Sequence, residues 1–340
     1  MREALFYKQL DDNKVQCLLC PHNCVIHPQK AGICGARVNG EGVLNSLVYG
    51  QVSSLAIDPI EKKPLFHFYP GSLVYSMGTL GCNMRCSHCQ NWRISHVLVS
   101  DKSSTRATEY IIPEKAVENA LKNDCEGIAF TYNEPTIWFE YTLDTAKLAK
   151  ENGLYTVYVT NGYINPEPLD AIGPYLDAFR VDIKGFGDEF YRGVAQVPSI
   201  KPVLESAVQA KKRWNMHVEA VTNIIPGKND GPVMLRKIAQ WIKTSLGKET
   251  PWHVTRFMPC LEFSDLNMTP LESLEMAQEI GLQEGLEYVY LGNVPTHAGE
   301  STYCPKCGEM IIERNGYNLM SYEIKDGKCG YCSYPIYIRT

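Results

Sequence analysis

The sequence predicts an α/β fold whose body is a partial (βα)6 TIM-like barrel. Three observations carry this. From residue 72 onward, short apolar runs alternate about six times with longer segments of 3.6-residue period. Parallel neighbours need long crossovers, usually helices, so the alternation implies a parallel sheet covered by helices. Six or seven strand candidates rather than eight favour an incomplete, laterally open barrel, with a flat doubly wound sheet as the second choice.

Taken in order, residues 1 to about 50 are loop-rich, with CPHNC and AGICGARVNGEG supplying Pro, Asn and Gly at close intervals. This N-terminal segment is expected to be stapled by metal rather than built on a core. DPIEKKPLFHFYPG, residues 58–71, carries no chemical signature of its own and reads as a rim element or a solvated hairpin. The strand candidates are LVYSMGTL, GIAFTY, YTVYVT, AFRVDIK, MHVEAVTNII, WHVTRFM and LEYVYLG. The helix candidates between them are PEKAVENALKN, TIWFEYTLDTAKLAKENG, PVLESAVQAKKRW, GPVMLRKIAQWIKTSLG and LESLEMAQEIGLQEG. The tail reads as two short hairpins carrying CxxC knuckles. The expected organisation is a Cys-rich extension over 1–71, the barrel over 72–297 and a zinc-ribbon-like module over 298–340.

With 33 Lys and Arg against 38 Asp and Glu, the net charge of -5 argues against a broad basic surface for nucleic acid. The start, MREALFYKQL, lacks the apolar core of a signal peptide, and no run approaches the ~18 apolar residues of a membrane span. A cytoplasmic protein without a membrane partner is expected, so its thirteen cysteines point to metal rather than disulfides.

Eleven of the thirteen fall into three clusters. Cys304, Cys307, Cys329 and Cys332 form C-x2-C-x21-C-x2-C, a four-thiolate pattern that reads as zinc, although mononuclear iron uses the same ligands. Cys17, Cys20, Cys24 and Cys34 also offer four thiolates, and their irregular spacing leaves zinc and iron-sulfur open. Cys82, Cys86 and Cys89 stop at three, just after the first barrel strand. A cube of four irons and four sulfides has four metal positions, so three cysteines leave one iron open to another partner. His88 or His96 as a fourth ligand is the competing account.

CNMRCSHC resembles the CxxxCxxC signature of the radical S-adenosylmethionine (radical SAM) superfamily. That resemblance implies a 4Fe-4S cluster on Cys82, Cys86 and Cys89 whose fourth iron is chelated by SAM. One electron, from a donor such as a ferredoxin or flavodoxin, then cleaves SAM to a 5'-deoxyadenosyl radical that abstracts hydrogen. His88 stands where the superfamily places an aromatic residue, beside the adenine. In TYNEP, Glu134 resembles the carboxylate of the GGE motif, with Tyr132 and Asn133 in place of its glycines, and would accept hydrogen bonds from the SAM ammonium. Opening the following helix is the plainer reading of Glu134. Thr160 and Asn161 of VTNGY suit a ribose, while Asp182 and Lys184 of VDIKG share a strand face at the SAM and substrate pocket, or form a plain ion pair. Asn223 ends the fifth strand; His253 and Arg256 on the sixth suit an anionic group, and a structural role serves His253 equally well.

Seven segments in order, CPHNC, GICGARVN, AIDPIEKKPLFHFYPG, TLGCNMRCSHCQNW, TYNEPT, WHVTRFMP and YCPKCG, resemble the AmmeMemoRadiSam system radical SAM enzymes, which are similar to pyruvate formate-lyase activating enzyme. The resemblance covers nearly the whole chain. It implies an activating-enzyme-like oxidoreductase with a partner protein's glycine as substrate, a small molecule being the alternative. A non-enzymatic adaptor with structural zinc at all three clusters is the rival from another class.

Overall fold

The structure, a computed structural model, describes residues 1–99, 108–294 and 298–340. Eight strands form one sheet: β1 (Ser54–Pro59), β2 (Leu73–Gly78), β3 (Gly127–Phe130), β4 (Tyr155–Thr160), β5 (Ala178–Asp182), β6 (His217–Ile224), β7 (Trp252–Arg256) and β8 (Val289–Gly292). β2 to β8 are parallel and β1 pairs antiparallel with β2. All six residues of β4, YTVYVT, are buried, as expected of a parallel strand covered on both faces.

Every strand neighbours its sequence neighbours, and β1 and β8 are not paired with each other. A doubly wound sheet reverses its order partway, so this uninterrupted order sets that alternative aside. The crossovers contain α1 (Pro113–Lys122), α2 (Phe139–Glu151), α3 (Pro166–Ile172), α4 (Lys201–Lys212), α5 (Pro232–Trp241) and α6 (Leu271–Gln283). α1 shows why they form: proline opens it at N1, and Pro113, Ala116, Val117 and Ala120 recur on one buried face.

Residues 60–68, expected on a rim or in a solvated hairpin, bury most of their side chains and so are not a solvated hairpin. Ile60, Leu65 and Phe68 join Val74, Ala129, Val157, Val159 and Ala178 in one core cluster. The buried Glu219 carboxylate fixes this segment, accepting from the backbone N–H groups of Phe66 and His67 and from Nε2 of His217 and His253. Burial pushes that carboxyl up, but the two histidine hydrogen bonds outweigh it and hold it well below the usual carboxylate range.

Short antiparallel sheets make up the first 50 residues. In the tail, Thr302–Tyr303, Met310–Asn315 and Asn318–Tyr322 form a three-stranded sheet, followed by the hairpin Ile324–Lys325 with Lys328–Cys329. The tail packs on Phe66, Tyr288 and Tyr290. The expected boundary at 297/298 adjoins residues 295–297, which lie outside the described residues. Among the described residues no helix is long and apolar enough to cross a membrane.

Candidate active site

All seven parallel strands deliver side chains to one cavity of about 360 Å³. The loop after β2 brings Cys82, Cys86, His88, Cys89 and Asn91; the loop after β3 brings Thr131, Tyr132 and Asn133. β4 ends in Thr160 and Asn161, and β5 contributes Arg180 and Asp182 with Lys184 just beyond. β6, β7 and β8 add Asn223, His253 with Thr255, and Gly292 with Asn293. A site at the carboxyl ends of parallel strands is the rule for such sheets, because the loops there are free to vary over a rigid frame.

Donors surround the cysteines. The Met84 N–H reaches Cys82 Sγ at 3.4 Å and Asn161 Nδ2 reaches it at 3.6 Å, while Cys89 Sγ lies 3.1 Å from Ser95 Oγ. Burial raises the Cys82 thiol well above its ordinary range and Cys86 to about 11. As bare thiols they stay protonated; a bound metal would displace those protons. Burial and then Lys184 lower His88 to about 3, so its ring is neutral, and its buried Nδ1 has no partner within the protein. Converging thiols and an orphaned buried ring nitrogen fit a bound cluster with an organic ligand beside it.

Tyr132 sits where a glycine would be easiest. Its φ of +73° is left-handed and costs about 1–2 kcal/mol for a side-chain-bearing residue. Both ends of the residue are held in return: its carbonyl accepts from Asn91 Nδ2 at 2.6 Å and its hydroxyl donates to Asp58 Oδ2 at 2.9 Å. The loop thus keeps the glycine-like backbone without the glycine.

Other expected site residues are placed differently. Glu134 is 1% exposed and is not on the cavity wall. Its Oε1 accepts from the Thr136 N–H at 3.0 Å and Thr160 Oγ1 at 2.7 Å, and its Oε2 from the Asn161 N–H at 2.8 Å. The carboxylate therefore caps the turn Pro135–Trp138 and ties β3 to the end of β4, in accord with its plainer reading. Arg256 and His96 are also off the wall. His253 lines the cavity but is bound to Glu219 at 2.6 Å, and burial lowers its pKa, so it offers no free cation to an anion. Asp182 accepts from Lys184 Nζ at 2.8 Å and is paired with Arg180, making a charged row on one strand face.

No residue of 61–66 was singled out from the sequence, which offered only a rim element or a solvated hairpin there, yet Glu61, Lys62, Lys63, Pro64 and Phe66 all reach the cavity. Lys63 is 3% exposed and bonds Asp58 Oδ2 at 2.5 Å. The available signal was the pair of lysines four and five positions after Asp58. Arg180 was legible too, since it alternates with Asp182 and Lys184. Glu300 and Tyr317 from the tail, which also line the cavity, left no such trace.

The other cysteine sets differ in spacing. The tail sulfurs all lie within 4.8 Å of one another, with Cys304 to Cys332 at 3.6 Å and Cys307 to Cys329 at 3.8 Å. That group can hold a metal ion. Among the described residues no other set of three or more ligating groups is so close.

Fold and site together place three cysteines among polar side chains at the open ends of a parallel sheet, as in enzymes of the α/β class. The model of the radical SAM superfamily matches residues 77–239. An uncharacterised protein of Methanocaldococcus jannaschii is 46% identical over 338 residues, covering 99% of each chain. The pyruvate formate-lyase-activating enzyme of Clostridium pasteurianum is 26% identical over 175 residues, 48% of this chain and 66% of that one. A crystal structure of a radical SAM methyltransferase from Sphaerobacter thermophilus shares the fold at a TM-score of 0.50 and 15% identity, covering 72% of this chain and 71% of that one. The chain belongs to the radical SAM superfamily and is similar to pyruvate formate-lyase-activating enzymes.

Proposed function

We propose that Cys82, Cys86 and Cys89 hold a 4Fe-4S cluster and that SAM binds beside it. The observation that carries this reading is the convergence of those three thiols with polar residues from every parallel strand end on one cavity. When bound, cluster and SAM supply one-electron cleavage of the SAM sulfonium and a radical able to take hydrogen from substrate. In this reading the chain's residues position the reactants. Asn161, anchored by Glu134, reaches toward Cys82; Thr160 supplies a hydroxyl; His88 offers a neutral ring face with a free nitrogen. The wall formed by Lys62, Lys63, Arg180, Asp182 and Lys184 takes the substrate. We read the sheet as an incomplete barrel of six βα units closed by a seventh strand, with the Cys-rich extension and the tail as flanking modules.

A partner protein's glycine is the proposed substrate, by likeness to the activating enzymes, and a ferredoxin or flavodoxin the reductant. Residues 61–66 together with Glu300 and Tyr317 line the cavity and favour a second reading, a small molecule. For the tail we propose zinc: bonds of about 2.3 Å in a tetrahedron place sulfurs about 3.8 Å apart, matching the spacing there. The deciding experiment supplies SAM and dithionite to the anaerobically reconstituted chain and assays 5'-deoxyadenosine. We expect its formation, and its loss together with about four irons in Cys86→Ser. No product from a cluster that is demonstrably reduced would sink the proposal.

A further inference from the structure

The four N-terminal cysteines, like the four of the tail, are metal-ligating side chains that the cavity does not use. Cys17 ends the strand Val15–Cys17, Cys20 and Cys24 follow in turns, and Cys34 precedes the strand Arg37–Gly40. Each sulfur faces a donor. Arg37 Nη1 lies 3.6 Å from Cys17 Sγ, and, against the burial that raises Cys20, Cys24 and Cys34, backbone hydrogen bonding at His22, Ile33 and Ala36 favours their thiolates. Such donors favour thiolate ligands and tune the metal they hold.

The tail set stands apart from the other two in spacing. The tail set has the close spacing that a single ion demands, whereas neither the N-terminal four nor the central three come within 4.8 Å as a group. The central three carry the superfamily's cluster motif, so they serve as the chain's own standard for a polynuclear site. The N-terminal four, like the central three, lack the close spacing of the tail.

Their loop also interlocks with the central one. A Cβ added to Gly81, whose φ is +96°, would stand 2.8 Å from the Cys34 carbonyl oxygen. His22 Nε2 bonds the Asn83 carbonyl at 2.7 Å, and Arg85 Nη2 donates to the Ile33 carbonyl at 3.2 Å. Cys82 thus lies between two residues that touch the N-terminal loop. Standard backbone dimensions then bring the Cα atoms of Cys34 and Cys82 within about 11 Å. On the outer side Val25 and Ile33, next to Cys24 and Cys34, are 53% and 51% exposed.

We propose that Cys17, Cys20, Cys24 and Cys34 hold a second 4Fe-4S cluster that relays electrons to the centre at Cys82, Cys86 and Cys89. The relay rests on the proposed reading of that centre. One electron from a low-potential soluble donor reduces the outer cluster, which is reoxidised as the inner one is reduced; no bond is made or broken in the transfer.

The test uses the full chain, reconstituted anaerobically and analysed for iron, sulfide and zinc. SAM cleavage is then measured with dithionite and, separately, with reduced flavodoxin. We expect about eight irons per chain, in two reduced clusters by electron paramagnetic resonance, and about one zinc. The double variant Cys20→Ser, Cys24→Ser should lose about four irons, keep cleavage driven by dithionite and lose cleavage driven by flavodoxin. Zinc in place of the second set of irons overturns the assignment, and flavodoxin-driven cleavage at the wild-type rate in the double variant overturns the relay. Wild-type metal content decides the first point even if the variant fails to fold. Four irons with active SAM cleavage defeats the second cluster alone. Eight irons without cleavage by either donor defeats the central reading and the relay, leaving the metal assignment intact.

Discussion

Asp58 gathers three donors on one buried carboxylate: Lys62 Nζ at 2.7 Å on Oδ1, and Lys63 Nζ at 2.5 Å with the Tyr132 hydroxyl at 2.9 Å on Oδ2. Burial alone would raise its pKa. The hydrogen bonds from Lys62 and Lys63 outweigh burial and hold the carboxyl well below its ordinary 3.8. Lys63 is pushed down to about 8, chiefly by burial, with Asp58 opposing the shift. Replacing Asp58 by Asn leaves a buried ammonium without its counter-charge, a loss of about 3–5 kcal/mol. Because the folded pKa of Asp58 is depressed, its stabilisation is full above the unfolded value and is lost as pH falls below it. Urea unfolding should therefore show a gap between wild type and Asp58→Asn that is present at pH 5 and shrinks below about pH 4. A gap that persists unchanged at pH 3 would refute the assignment of the carboxylate as the source.

At the level of elements, Glu134 joins the turn after β3 to the end of β4 through three accepted hydrogen bonds. Glu134→Ala strands these buried donors at about 1–3 kcal/mol each and frees Asn161 from its place near Cys82. We expect weaker SAM binding by equilibrium dialysis, with iron content retained and stability reduced. Glu134→Gln should recover part of both, since its carbonyl oxygen can still accept from Thr136 and Thr160; an alanine variant with unchanged SAM affinity would remove Glu134 from the site's support. The seven parallel strands were legible because each is a short run rich in β-branched, aromatic and other apolar residues between turn signals. β1 was not, as SLAIDP alternates exposure on an antiparallel edge and lacks that signature. Nor was α3, whose seven residues hold two prolines and too few turns to show a period. Polar residues at strand ends pointed to the cavity, but whether a side chain faces it depends on pairings distant in sequence. Glu134 turns instead to the Thr160 hydroxyl and the Asn161 N–H, and Lys63 is drawn in by Asp58.

For the whole molecule, the tail fastens the segment that floors the cavity. Arg314 Nη2 donates to the Phe66 carbonyl at 2.7 Å, His67 Nδ1 bonds the Tyr337 carbonyl at 2.5 Å, and Phe68 bridges to Arg339 in the manner of paired strands. Tyr317 and Glu300 of the same region line the cavity itself. The hydrophobic cluster that holds the tail is shared with Phe66, Tyr288 and Tyr290, and in the proposed reading the four-cysteine site supplies the rest of its support. Losing one ligand in Cys304→Ser should lower the melting temperature while leaving iron at Cys82, Cys86 and Cys89. SAM cleavage, which the proposed reading places on the opposite wall, should continue with dithionite. What should change is coupling: with residues 61–66 less firmly held, more 5'-deoxyadenosine should form per substrate molecule altered. Cleavage abolished at normal iron loading would show that the tail acts on the SAM side of the cavity, contrary to the division of its walls proposed above.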